Sequence, residues 1–580
     1  MKKKLMILFL CLAVAFCTLS GCGIRNSPSP DTGKYEKTLV VDVFDSLANF
    51  QGIQSGWFAK IVKDKFNMEL NIIAPNVSGG GDTLFETRCA AGNLGDLIIC
   101  TSENGMLNEL VNSNLILDMS PYLSDKQIMR FSYAINALND PINPGSIYAI
   151  PSEISLQSAI TPAEGLDPTF GPYLRWDLYK QLGYPQIDTL EDLLPVLCQM
   201  QALCKASDSG NKTYGFSFFP DWDGNLMNAA KQPCCFYGYD EFGFILAKAD
   251  GSDYQDIADS CSLYMRVLKF YFDANQLGLV DPDSRTQNYD QFYQKYVDGS
   301  ILYCPWPWLC QSAYNTVDHL NQNKGYMMAV IQDMQIFSYG CNPGGNQKTV
   351  MCIGSNTEDP ERLADFVDWL YSPEGIMCCM AQDKDGTPGP QGLCWELDEN
   401  GSPYLTDFGK QTFLNGGSDV PEEWGGSTWN AGISQLNYKP ISRLDLTPEG
   451  FPYYYALWDS VYLKDLSPIE TDWQDYYDSP NAVDYLKEHD LLLVAPGSSY
   501  TSPRESSEIS AIRSQCRSVI TDYSWRMVFA DNEEIFYSLQ EEMQNKLTAL
   551  GYEQVCENDL VYAKQQNEAR VAAAAASQTQ

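Results

Sequence analysis

The stretch DGSILYCPWPWLC, Asp298 to Cys310, sets two cysteines, two prolines and two tryptophans behind a short apolar run. Three chemistries suit those residue types. Cys304 and Cys310 suit a redox or metal pair, Trp306 and Trp308 suit a flat ligand-binding surface, and the whole run suits a strand entering a core. Metal and Cys–His chemistry need companion ligands, and the sequence lacks them: the only histidines, His319 and His489, stand far apart, and no CxxC occurs. The adjacent pairs Cys234-Cys235 and Cys378-Cys379 are poorly suited to local bridging. The thiols are therefore expected to be mostly free and buried as small hydrophobes, with no metal and no cofactor. Nucleophile and phosphate signatures are missing too: there is no GxSxG, no GxxxxGK[ST] and no GxGxxG. Of the three readings, the ligand surface and the core strand stay open.

The elements that would position these side chains alternate in type. TLVVDVF (Thr38–Phe44) reads as a buried strand, WFAKIVKDKF (Trp57–Phe66) as an amphipathic helix and MELNIIAP (Met68–Pro75) as the next strand. TLFETRCAAG (Thr83–Gly92) ends on a glycine stop, and DLIIC (Asp96–Cys100) is continuously apolar, as strands of parallel sheets are. SIYAIPSEIS (Ser146–Ser155) reads as an extended crossing segment, and Asp188–Asp192 as a capped helix start. Asp359–Ala381 reads as one helix with acid residues in its first turn. Strand–helix–strand alternation predicts an α/β architecture, and 580 residues predict two lobes.

The N-terminus, MKKKLMILFLCLAVAFCTLSGC, has a basic start, a short apolar stretch and small residues before Cys22, which predicts an export signal over 1–21. Leu19-Ser20-Gly21-Cys22 resembles the bacterial lipobox, so Cys22 is expected to carry the lipid and residues 22–36 to form a flexible linker. That places the protein on the extracellular face of the cell membrane of a Gram-positive-type bacterium, tethered but not spanning. Losing the three leader lysines moves the net charge from −37 to about −40, which excludes nucleic acid as a partner. Sixteen cysteines remain after Cys11, Cys17 and Cys22, too sparse for a disulfide scaffold; free thiols in an exported chain point to an anaerobic host.

Four segments in order, AGNLGDLIIC, SIYAIP, LRWDLYKQLGYPQIDTLEDLL and DPERLADFVDWLYSPEG, resemble motifs of extracellular solute-binding proteins of family 1. These are lipoproteins of carbohydrate ABC importers, and within them the chain resembles the aldouronate or oligosaccharide-type subgroup. The likeness runs from about residue 37 to 557. It implies a two-lobed, type II periplasmic-binding-protein-like fold with a hinge between the lobes, a monomer, no enzymatic activity, an oligosaccharide ligand and ABC permease partners. Lobe 1 is expected over 37–150 and 335–395, lobe 2 over 151–334 and 396–560, and a frayed tail over 561–580.

By the same resemblance, Trp306 takes the place of the tryptophan that stacks on sugar in maltodextrin-binding relatives, with Trp308 packing behind it. An indole suits the apolar face of a pyranose and loses little side-chain entropy. Candidate hydroxyl-binding groups follow in loops at strand ends: Asp45, Asn49 and Gln51; Ser102, Glu103 and Asn104; Asp221, Trp222 and Asp223; Trp395 and Glu396; and Trp424, Trp429 and Asn430. DWDGN hints at calcium, but its glycine lies one position early for an EF-hand and no later glutamate is suitably spaced. The rival classes are a surface-anchored glycoside hydrolase, whose carboxylate pair would be visible only in three dimensions, and an oligopeptide-binding lipoprotein.

Overall fold

A computed structural model describes residues 34–78, 81–382, 386–414, 417–462, 466–503 and 505–577. The expected signal, Cys22 and most of the linker lie outside the described residues, as does the side chain of Asn104. No helix among the described residues is long and apolar enough to cross a membrane.

The first lobe is built on a six-stranded sheet. Its centre is three parallel strands, Met68–Ile73, Leu39–Asp45 and Leu97–Cys100, flanked by Gly52–Ile53 on one side and by Asn346–Ile353 and Ile150–Ser152 on the other. Parallel register pairs Val41 with Leu70 and Phe44 with Ile98. These strands are largely apolar, and helices pack on both faces of the sheet. Trp57, Phe58 and Phe366 pack on one face, and Leu107 and Leu110 on the other. The strand at 346–353 returns from the second lobe, so the sheet closes only after the chain has crossed out and back.

The second lobe has a three-stranded sheet, Tyr303–Cys304, Tyr173–Arg175 and Tyr326–Met328, wrapped by helices that include Leu263–Gln276, Ser507–Val528 and Glu533–Leu550. Thr189 and Asp192 form the expected capping box ahead of the helix Leu193–Leu203. Two of the passages between the lobes, residues 153–163 and 339–345, bond to each other: Ser155 N donates to Asn342 O at 3.1 Å and Cys341 N to Thr161 O at 2.7 Å. Gly340 and Gly497 let these backbones touch, since a Cβ on either would sit 2.1 or 2.0 Å from a carbonyl oxygen.

Three expectations change. Residues 396–458, expected in lobe 2, pack into the first core: Leu405, Phe413, Trp429, Tyr438 and Trp458 are all buried with Trp57 and Tyr371. Asp359–Ala381 is two helices, Pro360–Leu370 and Pro373–Cys379, because Pro373 cannot continue a helix and instead starts one capped by Ser372. The tail is no frayed end: a helix runs from Tyr552 to Ser577, and Ser577 Oγ accepts a bond from Ala159 N at 3.0 Å in the crossing segment.

Candidate functional site

Residues of both lobes line two chambers that share Tyr339. The larger holds about 1730 Å³. The first lobe contributes Thr412, Phe413, Ser418, Trp429, Asn430 and Tyr455 to it; the second contributes Trp308, Gln311, Asn315, Glu470, Gln474 and Asn481. The smaller, about 960 Å³, is rich in carboxylates: Glu86, Glu103 and Glu109 from the first lobe face Asp240, Glu241 and Asp559 from the second. Several of these are already engaged, Asp240 by Lys231 and Asp559 by Arg513.

In the PWPW turn the burial of the two rings is the reverse of that expected. Trp306 is 7% exposed and sits in the second core, its Nε1 donating to Gln232 Oε1 at 3.0 Å. Trp308 is 44% exposed and lines the larger chamber. The local chemistry explains the order. Pro307 holds the preceding Trp306 in an extended conformation and opens the helix Pro307–Tyr314, so the two rings leave the backbone in different directions. Cys304 and Cys310 both donate to the Trp306 carbonyl at 3.3 Å, which clamps the turn from inside. Trp222, 43% exposed, stacks on Tyr289 at 4.7 Å and stands 6.1 Å from both Trp306 and Trp308.

The other expected contact residues fall at several places in the fold. Asp45 is buried; its carboxylate accepts from Asn437 N at 2.7 Å and from Leu47 N at 3.3 Å, pinning the 396–458 segment to the end of the first strand. Gln51 accepts from Ala74 N at 2.7 Å, and Ser102 Oγ donates to Gln347 O at 2.6 Å. Asp221 accepts from Tyr289 N, while Asp223 accepts from Asn228 N and Trp525 Nε1. Trp395 is core, donating to Gly389 O and packing on Phe451 and Trp458; Glu396 accepts from Gln391. Trp424 is half-buried against the first core, Asn49 is exposed away from either chamber, and Glu103 lines the smaller one.

Trp429 is buried yet borders the larger chamber. It stacks on Trp57 at 4.8 Å with 15° between planes, and Phe413 meets it edge-on at 5.4 Å. Gly389, at φ +78°, makes room: a Cβ there would lie 2.5 Å from Trp429 Cη2. The hydroxyls and amides of this wall, Thr412 and Ser418, and those opposite, Gln311, Asn315 and Asn481, were not singled out from sequence. They are ordinary polar residues until the fold gathers them.

Burial pushes the Asp45 and Asp445 carboxyls up to about 6, against the hydrogen bonds from Asn437 and from Leu156 that oppose the shift. A raised carboxyl binds its proton more tightly in the folded state, so its cost to stability is full above pH 6 and is relieved as pH falls toward 4. The Asp45→Asn, Asp445→Asn double variant should flatten the dependence of melting temperature on pH across that window. An unchanged slope would show that neither group titrates there.

The fold and the site define a class: a two-lobed α/β fold of the type II kind, with a ligand-sized space lined by both lobes. No family model and no curated protein matches the chain. Solved structures do. FusA, an S. pneumoniae ABC-transporter substrate-binding protein solved in complex with kestose, is 15% identical over 91% of this chain and 99% of its own, with a TM-score of 0.57. The alginate-binding protein AlgQ2 is 14% identical, covering 91% and 98%, with a TM-score of 0.57. An HMO-binding, ABC-transporter-associated solute-binding protein from Bifidobacterium longum infantis is 12% identical, covering 92% and 99%, with a TM-score of 0.59. At such identities the likeness is one of fold.

Proposed function

We propose that this protein is the substrate-binding lipoprotein of an ABC importer, capturing an oligosaccharide between its lobes and presenting it to a membrane permease. The observation that carries this reading is the composition of the larger chamber. Its two walls come from different lobes, and both combine aromatic faces with uncharged amide and hydroxyl groups. Aromatic faces suit the apolar C–H faces of sugar rings, and amides and hydroxyls suit their OH groups. The volume exceeds the 300–1,000 Å³ or so usual for small-molecule sites, which suits several linked sugars. FusA and the B. longum protein, which share the fold, are described as binding kestose and HMO.

A ligand that touches both walls binds the closed arrangement better than the open one, and that difference alone shifts the population. The protein then needs no bond-making chemistry. It acts at the extracellular face of the membrane, held by lipid on Cys22.

Incubation with oligosaccharides tests the reading. A bound sugar should raise the melting temperature, corresponding to about 2.7 kcal/mol at a hundredfold excess over Kd, and be recovered intact. Cleaved sugar released at catalytic rates would overturn it in favour of a glycosidase.

A further inference from the structure

Among the described residues the two chambers have one in common, Tyr339, the last residue of the strand Ile336–Tyr339. Its backbone and its side-chain tip meet different chambers. The Tyr339 carbonyl accepts from Ala163 N at 2.7 Å, and Ala163 lines the larger chamber. The hydroxyl donates to Asp240 Oδ2 at 2.5 Å, and Asp240 lines the smaller one. The side chain therefore reaches from one lining to the other.

The ring is held along that line. Asp240 is fixed in turn by Lys231, whose Nζ lies 2.6 Å from Asp240 Oδ1 in a largely buried pair. A hydrogen bond to an ionised carboxylate is about twice as strong as a neutral one. Phe337 meets the ring edge-on at 4.9 Å, and Phe170 lies 6.2 Å from it. The strand is paired in register, Tyr339 with Ala495. Phe170, Phe337 and Ala495 all belong to the second core, so the ring is carried by the second lobe alone. It is nonetheless 39% exposed, turned to open space rather than absorbed into the core. Tying down an exposed side chain costs conformational entropy, and what that ordering provides here is a rigid wall between two spaces.

We propose, resting on the importer reading, that Tyr339 is the stop that sets the length of the chain bound. An oligosaccharide fills the larger chamber up to the Tyr339 ring and is kept out of the smaller one. Nothing else about the smaller chamber forbids a further sugar. At about 960 Å³ it has the volume of a small-molecule site, and carboxylates such as Glu103 and Glu109 accept hydrogen bonds from hydroxyls. The ring is what denies the space.

Calorimetric titration of the wild type, Tyr339→Ala and Tyr339→Phe tests the stop with two ladders, neutral hexose oligomers and N-acetylhexosamine oligomers, each from the disaccharide upward. Wild-type affinity should climb with each added residue and then level off. In Tyr339→Ala the levelling should come at least one residue later. The first chain past the wild-type limit should bind that variant about tenfold more tightly than it binds the wild type, as one or two further hydrogen bonds would give. Shorter chains should bind both alike. Tyr339→Phe keeps the ring and its packing on Phe337, and should keep the wild-type limit. Tyr339→Val, a residue type suited to a strand, carries the test if the alanine variant fails to fold. The same limit in Tyr339→Ala and the wild type, a limit moved as far by Tyr339→Phe, a wild-type affinity that never levels off, or weaker binding of every chain by Tyr339→Ala would each overturn the stop. A wild type that binds no member of either ladder would instead remove the importer reading, and the stop with it.

Discussion

Replacing Trp308 by alanine is expected to lower oligosaccharide affinity by about ten- to a hundredfold while leaving the melting temperature nearly unchanged. The ring is 44% exposed on the chamber wall, so it supplies little core packing, yet it is the largest aromatic surface that the second lobe turns toward the chamber. Trp306→Ala should do the reverse. That ring is buried and hydrogen-bonded to Gln232, so its removal opens a cavity and strands a buried amide, at a cost of about 3–5 kcal/mol. Titration and thermal melts of the two variants separate the roles. Full affinity in Trp308→Ala would return that residue to the status of a bystander at the rim.

Gly56→Ala should cause a large loss of stability close to the chamber wall. Gly56 opens the helix Gly56–Phe66 at φ +71°, and a Cβ there would lie 2.4 Å from Gly432 Cα. Gly432 is equally tight, since its own Cβ would meet Trp57 Cδ1 at 2.5 Å. Two glycines thus allow backbone-to-backbone contact between the helix and the 396–458 segment, which sets Trp429 against Trp57. The backbone strain and the forced separation together should cost about 3 kcal/mol, and affinity should fall because the chamber wall moves with Trp429. Gly52→Ala is the control: φ is +121° but nothing lies within 4 Å, so it reports the strain alone. Equal losses in the two variants would show that the close contact contributes nothing.

Local pattern settled much of this protein. The parallel strands are legible in TLVVDVF and DLIIC because strands flanked by helices are dominated by apolar residues. The capping box at Thr189 is legible because its bonds close within four residues. The absence of His and CxxC patterns likewise removed metal chemistry from the PWPW stretch before any fold was known.

Tertiary structure decided the rest, wherever the outcome depends on partners distant in the chain. Trp306 and Trp308 are the same residue type with the same preceding proline; Trp306 is the one enclosed by the second core and bonded to Gln232, 74 residues upstream. Trp395 and Trp429 read alike as loop aromatics, yet the first is fully enclosed by Phe451 and Trp458, and the second borders the chamber because Gly389 and Trp57 hold it there. The lobe to which residues 396–458 belong is set by the Asp45–Asn437 bond and the Gly56–Gly432 contact, neither of which has any local signature. Sequence by itself therefore determined an α/β chain with an aromatic turn. The burial of each ring was fixed by packing against segments distant in the chain.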